Sequence, residues 1–586
     1  MKTEWNLGVL YKGFDDPQYE KDIESFKEES EKLKSIVNRE DWEEDLTAKD
    51  VEDILVCLEK RMRLMTKLFY FSGLSLATDT ENGDIMAKDN ELRKITSQYA
   101  AVEAACDKLL ALTTDIEKKA KESKKVEEYV FLLNDLKEKS KHLLSNEEEA
   151  ILAGMDMTGG SAWGTLQSFL TSTVKIDYAG EQVTLSEIRN LAYDKDAEVR
   201  KSAYEAEIAG YEKIADSVAF ALNNIKNQTW YECEKRGYES PLAMTLSNGN
   251  LKKTTLDAMF KAIDEYLPVF RKYFRKKGEL LGHKEGLPWY ELFAPLGEDD
   301  KKYTLEEAKD YLVNCYKDFT PELSDMIKEA FENEWIDFYP KKGKEGGAFC
   351  AALTEFNISR ILTNYDGTFG AVDTLAHELG HAYQGRQMKN TPILNQDEPM
   401  QLAETASTFN EVFLGHYALE RAEGKEKLAL LDSDLKEKAQ CVVDIYSRYI
   451  FETEVFEKCR DKFLMKDDLN KMMLEAQDKT YGDGLDKDVR HPYMWACKSH
   501  YYSAHLSFYN FPYAFGNLLA QGLYAMYLKE GEAFIPKYNK FLAEAGSHTT
   551  EECGMMIGAN LEDVEFWRAS LQLVADEIEE FVALVD

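Results

Sequence analysis

His377-Glu378-Leu379-Gly380-His381 decides the reading of this chain. Two histidines four positions apart share one face of a helix, so both imidazoles reach a single metal ion. The glutamate between them projects beside that ion, where its carboxylate takes a proton from an activated water. With 9 His and 108 Asp plus Glu in the chain, chance yields such a pattern roughly 0.03 times per sequence. The flanks, 371–376 and 382–384, contain no proline and place apolar residues at helical spacing, as the motif requires.

A catalytic zinc takes three protein ligands and keeps one position open. Downstream, Leu402, Ala406, Phe409 and Phe413 form an apolar helical stripe, with Glu404 and Glu411 two turns apart on another face. Glu404 is the expected third ligand, separated from His381 by a loop around Pro392. Glu411 reads either as a hydrogen-bond partner of a ligand imidazole or as a surface carboxylate. Asp373, one turn before His377, reads as such a partner or as a helix cap.

On these motifs, together with Trp5-Asn6-Leu7, residues 196–204 and a tyrosine-rich segment at 498–516, the chain resembles the oligoendopeptidase F branch of the thimet-oligopeptidase-like zinc peptidases. The resemblance runs over most of the chain. It implies one zinc ion held by His377, His381 and Glu404, with Glu378 as general base. It also implies a histidine followed by paired tyrosines that stabilise the oxyanion. His500, Tyr509 and Tyr513 match best, with His505 a competing match for the histidine. Tyr383-Gln384-Gly385 departs from relatives, which often carry a further histidine there. Pro512 either kinks the helix carrying the tyrosine pair or marks its first turn.

Residues 346–353 and 360–365 read as short strands, the second ending in the Asp366-Gly367 turn. In the family such a strand edges the cleft, so Gly346, Gly347, Ala348 and Phe349 are expected to bind substrate backbone by strand addition. Residues 19–37, 50–69, 90–118 and 198–233 carry helical periodicity rich in Glu and Lys. The expected fold is mainly α-helical, with two helical halves enclosing a deep substrate cleft and a small β-sheet beside the zinc helix. At 586 residues the chain exceeds one hydrophobic core. Residues 154–161 read as a boundary loop, followed by a hairpin at 174–185. Residues 1–190 are expected to cover one side of the cleft, and 191–586 to form the catalytic region.

A net charge of −36 argues against nucleic acid and anionic membrane as partners. Nine scattered cysteines without a C-x-x-C pair and a start without an apolar core point to a cytoplasmic protein. The expected activity is a zinc endopeptidase acting on short peptides; sequence leaves oligomeric state open. A carboxypeptidase or peptidyl dipeptidase on the same scaffold would need a cation for the substrate's terminal carboxylate, and Arg386, Arg490 and Lys498 are candidates. A silent peptide binder would have no need of Glu378.

Overall fold

The computed structural model describes residues 2–39, 42, 45–297 and 301–586. The protein is 71% helical with only small sheets, and packing groups it into two compact units. One comprises Met1–His142, Lys301–Leu414 and Glu530–Gly558; the other comprises Leu143–Asp300, Gly415–Lys529 and Ala559–Asp586. Each unit therefore gathers segments far apart in sequence, and packing does not follow a single cut at residue 190.

In the first unit, helix Pro17–Val37 starts on Asp16, whose side chain accepts from the Gln18 N–H, with proline at the first helical position. Helix Ala48–Thr78 starts on a capping box between Thr47 and Asp50. Their apolar faces make two cores. Leu33, Val51, Ile54, Leu55, Leu110 and Leu133 close one. Tyr11, Tyr19, Phe26, Leu68 and Phe71 close the other, which also takes in Ala351 and Leu353 from the sheet. The periodic stretch 90–118 is not one helix. Gly83–Ser97 and Ala100–Leu110 are separate helices, broken beside Tyr99, which is buried against Phe26.

The sheet of this unit has three strands, ordered Ile336–Asp337, Ile358–Leu362, Phe349–Leu353. The last two are antiparallel, with Phe349 opposite Leu362 and Leu353 opposite Ile358. Both predicted strands are thus shorter or shifted. Residues 363 and 365 instead hydrogen-bond to the backbone of Asp337 and Phe338. Phe349–Leu353 is an edge strand, and its second edge pairs with no strand among the described residues.

The second unit is built around helix Lys253–Leu280, packed on the C-terminal helix Val564–Val585. The loop read at 154–161 shrinks to a three-residue break between helices Asn146–Asp156 and Gly160–Thr173. The hairpin follows as expected: Ile176–Tyr178 pairs with Glu181–Val183. Ala179 and Gly180, at φ 52° and 88°, supply the two left-handed residues of its tight turn. Among the described residues no helix is long and apolar enough to cross a membrane.

Candidate metal and catalytic site

Helix Phe369–Gln387 carries the His-Glu-x-x-His motif. It begins where Gly367, at φ 84°, turns the chain. Thr368 caps it by accepting from the Ala371 N–H. The cap is therefore Thr368, and Asp373 lies inside the helix, which removes its capping alternative. Val372, Leu375, Ala376, Leu379, Ala382 and Tyr383 bury one face. Two glycines set the helix's neighbours. A Cβ on Gly380 would stand 2.5 Å from the Ala406 carbonyl oxygen, and one on Gly385 would stand 2.6 Å from the Ala352 Cβ. The motif helix thus presses against the next helix on one side and the edge strand on another. A hydrogen bond of 3.0 Å from the buried Asn410 amide to the Ala376 carbonyl ties the first contact.

Glu404 does not lie within one continuous helix. Helix Met400–Ala403 ends at Glu404, at φ −94° and ψ 7°, and helix Thr405–Leu419 begins after it. That break, beside the Gly380 crossing, delivers the carboxylate to the histidines. Glu404 Oε2 lies 3.3 Å from His377 Nε2 and 3.2 Å from His381 Nε2. It also accepts from Ser407 Oγ at 2.9 Å. The three ligand atoms fall within 4.8 Å of one another. His377 Nδ1 meets Glu411 Oε1 at 2.8 Å, so the outer ring nitrogen is occupied and Nε2 is the one turned inward.

Two imidazole nitrogens and one carboxylate oxygen suit zinc and its neighbours among divalent metals. The electrostatics agree with a cation there. Burial alone would depress the His377 pKa, but hydrogen bonds to Glu404 and Glu411 outweigh it and raise the ring to about 10. Hydrogen bonds from His377 and His381 hold the Glu404 carboxyl far below its ordinary range. Glu378 behaves differently. It is 5% exposed, and desolvation raises its pKa although both histidines oppose the rise.

A cavity of about 1000 Å³ in the same unit is lined by His377, Glu378, His381 and Glu404. Ala348, Phe349, Cys350, Ala352 and Leu353 border it, as do Leu58, Met62 and Leu136 of the N-terminal helices. Gly346 and Gly347 are not part of its lining. A Cβ at either would meet nothing within 4 Å, and Gly347 serves the backbone by adopting φ 78° before the strand.

The tyrosine-rich segment lies in the second unit. Tyr509 precedes helix Phe511–Glu530 and Tyr513 stands in its first turn, so Pro512 marks the start of the helix rather than a kink. Tyr513 donates to Tyr509 Oη at 2.9 Å. The His500 and Tyr509 rings are 4.7 Å apart. Phe508, at φ 55° and buried against Phe456, turns the chain just before Tyr509. His505 is engaged elsewhere, 3.1 Å from Asp156, so His500 is the histidine of this group. Burial, with Arg448 and Lys498 nearby, lowers the His500 pKa and favours the neutral imidazole. Of the cations considered for a terminal carboxylate, Arg386 pairs with Glu329 at 2.6 Å and Arg490 with Asp478 at 2.7 Å. Lys498 has no ion pair among the described residues.

Sequence reasoning passed over Gly380, whose role appears only at the helix crossing, and Glu398, which lines the cavity beside the motif helix. A carboxylate in an unpatterned loop gave no signal.

A family model described as peptidase family M3 matches residues 190–573, and one described as oligopeptidase F matches residues 108–175. The oligopeptidase PepF of Bacillus subtilis is 26% identical over 92% of this chain and 82% of its own. An oligoendopeptidase F homolog of Lactococcus lactis is 26% identical over 100% of this chain and 98% of its own. A solved chain from Chlamydophila abortus, 22% identical, shares the fold at a TM-score of 0.88 over 99% of this chain and 98% of its own. With that fold, a family model spanning most of the chain and a donor set of two histidines and one glutamate, this protein belongs to peptidase family M3, in its oligoendopeptidase F branch, and is a metallo-oligopeptidase.

Proposed function

We propose that the protein is a zinc endopeptidase of short peptides, with one ion held by His377, His381 and Glu404. The observation that carries this reading is the convergence of both histidine Nε2 atoms on one Glu404 oxygen, at 3.3 and 3.2 Å, beside the buried Glu378. Zinc, when bound, supplies the Lewis acidity that activates water and polarises a peptide carbonyl. Glu411 holds His377 in the tautomer whose Nε2 is free to ligate. Glu378, its basicity raised by burial, takes the proton of the attacking water and passes it to the leaving amine. Because Tyr513 donates to Tyr509, the hydroxyl proton of Tyr509 is left for another acceptor, and we assign it, with His500 alongside, to the oxyanion.

Substrate backbone pairs with the open edge of strand Phe349–Leu353, which borders the same cavity as the motif. Ala348 and Phe349 keep their substrate-binding assignment; Gly346 and Gly347 act through the turn that leads into the strand. The N-terminal region covers one side of the cavity, a reading supported by lining residues from Leu10 to Leu136. Asp373 remains a proposed neighbour of the ligand histidines. We place the enzyme in the cytoplasm, with peptides rather than nucleic acid or membrane as its partners.

The test is cleavage of a doubly blocked, internally quenched peptide. The reading expects internal cleavage that a chelator abolishes and stoichiometric zinc restores. Cleavage that persists in the zinc-stripped protein would contradict it.

A further inference from the structure

The cavity beside the motif helix contains three lysine and arginine side chains, and each is already matched to a carboxylate. Arg61 meets Glu103 at 2.7 Å, Lys67 meets Asp22 at 2.7 Å, and Arg63 pairs with Glu355. Glu398 and its neighbour Asp397 line the same cavity with no cationic partner among the described residues. The carboxylate of Glu398 is nonetheless held in place. It accepts from the amide of Gln384, which is 3% exposed and stands three residues past His381 on the motif helix. Three residues, about 4.5 Å of rise and close to one helical turn, therefore separate its anchor from His381.

The segment that carries Glu398 is also fixed. Asn395 donates to the Glu128 carbonyl at 2.9 Å. Gly546 lies so close that a Cβ there would stand 2.3 Å from the Asn395 carbonyl oxygen and 2.7 Å from that of Asp397. Burial, with Asp397 and Glu404 nearby, pushes the Glu398 carboxyl up to about 8, the behaviour of a half-buried acid with no cation to hold it down.

We propose that Glu398 is a specificity-determining residue that receives a cationic group of the peptide substrate, an ammonium or guanidinium, close to the scissile bond. The proposal rests on the peptidase reading above and names its substrate class. A lysine or arginine side chain and a free α-amino group offer the same chemistry, and the position one turn from His381 favours a side chain near the cleaved bond. Gln384, which also borders the cavity, acts as a positioning residue through its hydrogen bond to the Glu398 carboxylate.

The test walks a lysine, and norleucine as its neutral isostere, through each position of a doubly blocked, internally quenched peptide, with a parallel set whose amino terminus is free. In the wild-type protein the expected result is a lysine-to-norleucine ratio of kcat/KM of about ten at one position, carried mainly by KM. In Glu398→Gln that ratio falls to about one, and in Glu398→Lys a glutamate at that position becomes preferred over norleucine. A preference that appears only with the free terminus, and that Glu398→Gln abolishes, keeps the chemistry and assigns its source to the α-amino group. A flat lysine walk in the wild type overturns the proposal, as does an equal loss on lysine and norleucine peptides in Glu398→Gln. Should wild type cleave no peptide, the peptidase reading fails on its own. Fluorescence anisotropy of the lysine and norleucine peptides on wild type and Glu398→Gln then decides the inference separately.

Discussion

At the scale of single residues, the chemistry depends on how differently three carboxylates are treated. Glu404 is held ionised by two histidines, Glu411 is spent on one imidazole nitrogen, and Glu378 is buried beside them with its basicity raised. Glu411 touches the proposed ligand His377 through Nδ1, on the side of the ring away from Glu404. Glu411→Gln should therefore leave the fold intact and weaken zinc binding by about 10–100-fold, read by competition with a chromogenic chelator. An unchanged affinity would show that the 2.8 Å contact to His377 does not orient the ring. Much of this centre was legible in the sequence because helical spacing is local: five residues fix both histidines and Glu378. Glu404 could be placed only by its distance along the chain, and the backbone break that aims it was not visible. His500 and His505 looked equivalent until the contacts of His505 with Asp156 and of His500 with Tyr509 separated them.

At the scale of elements, the close approach of the motif helix and helix Thr405–Leu419 brings the proposed ligands together. Gly380 is the point where side-chain volume would hold them apart. Gly380→Ala places a methyl group 2.5 Å from the Ala406 carbonyl oxygen and 2.6 Å from the Ser407 Cα, both backbone atoms that cannot swing aside. We expect a loss of about 1–3 kcal/mol in urea unfolding together with weakened zinc binding. Gly415→Ala, in the helical segment Thr405–Leu419 with open space at its Cβ, should instead stabilise by about 0.5–1 kcal/mol. If the two variants shift the urea midpoint in the same direction, the crossing does not govern the site. Element type was largely readable from periodicity, while element ends were not. The stretch 90–118 breaks where Tyr99 turns into the core, and the strands end where pairing with Asp337 and Phe338 dictates, both decided by residues distant in sequence.

At the scale of the whole molecule, each unit is assembled from three separated segments, an arrangement that a reading along the chain cannot foresee. The second unit buries charge in pairs, such as Lys226 with Glu452 at 2.6 Å and Lys277 with Asp432 at 3.0 Å. His416 stacks on Tyr524 near Lys438, and burial, reinforced by that lysine, holds its pKa at about 4 against an ordinary 6.5. As pH falls through this window the unfolded chain takes up the proton before the folded one does. Stability is therefore full above about 6.5 and declines towards 4, by on the order of 3 kcal/mol from this residue. His416→Phe, which keeps the stacking, should flatten that acid slope in urea unfolding measured between pH 6.5 and 4; an equal slope in both proteins would rule the residue out. Glu378→Gln separates the proposed base from the proposed metal ligands when turnover and bound zinc are measured on the same preparation. The expected result is a kcat reduced by at least about a thousandfold with zinc still bound at one ion per chain. Near-normal turnover with zinc in place would contradict it.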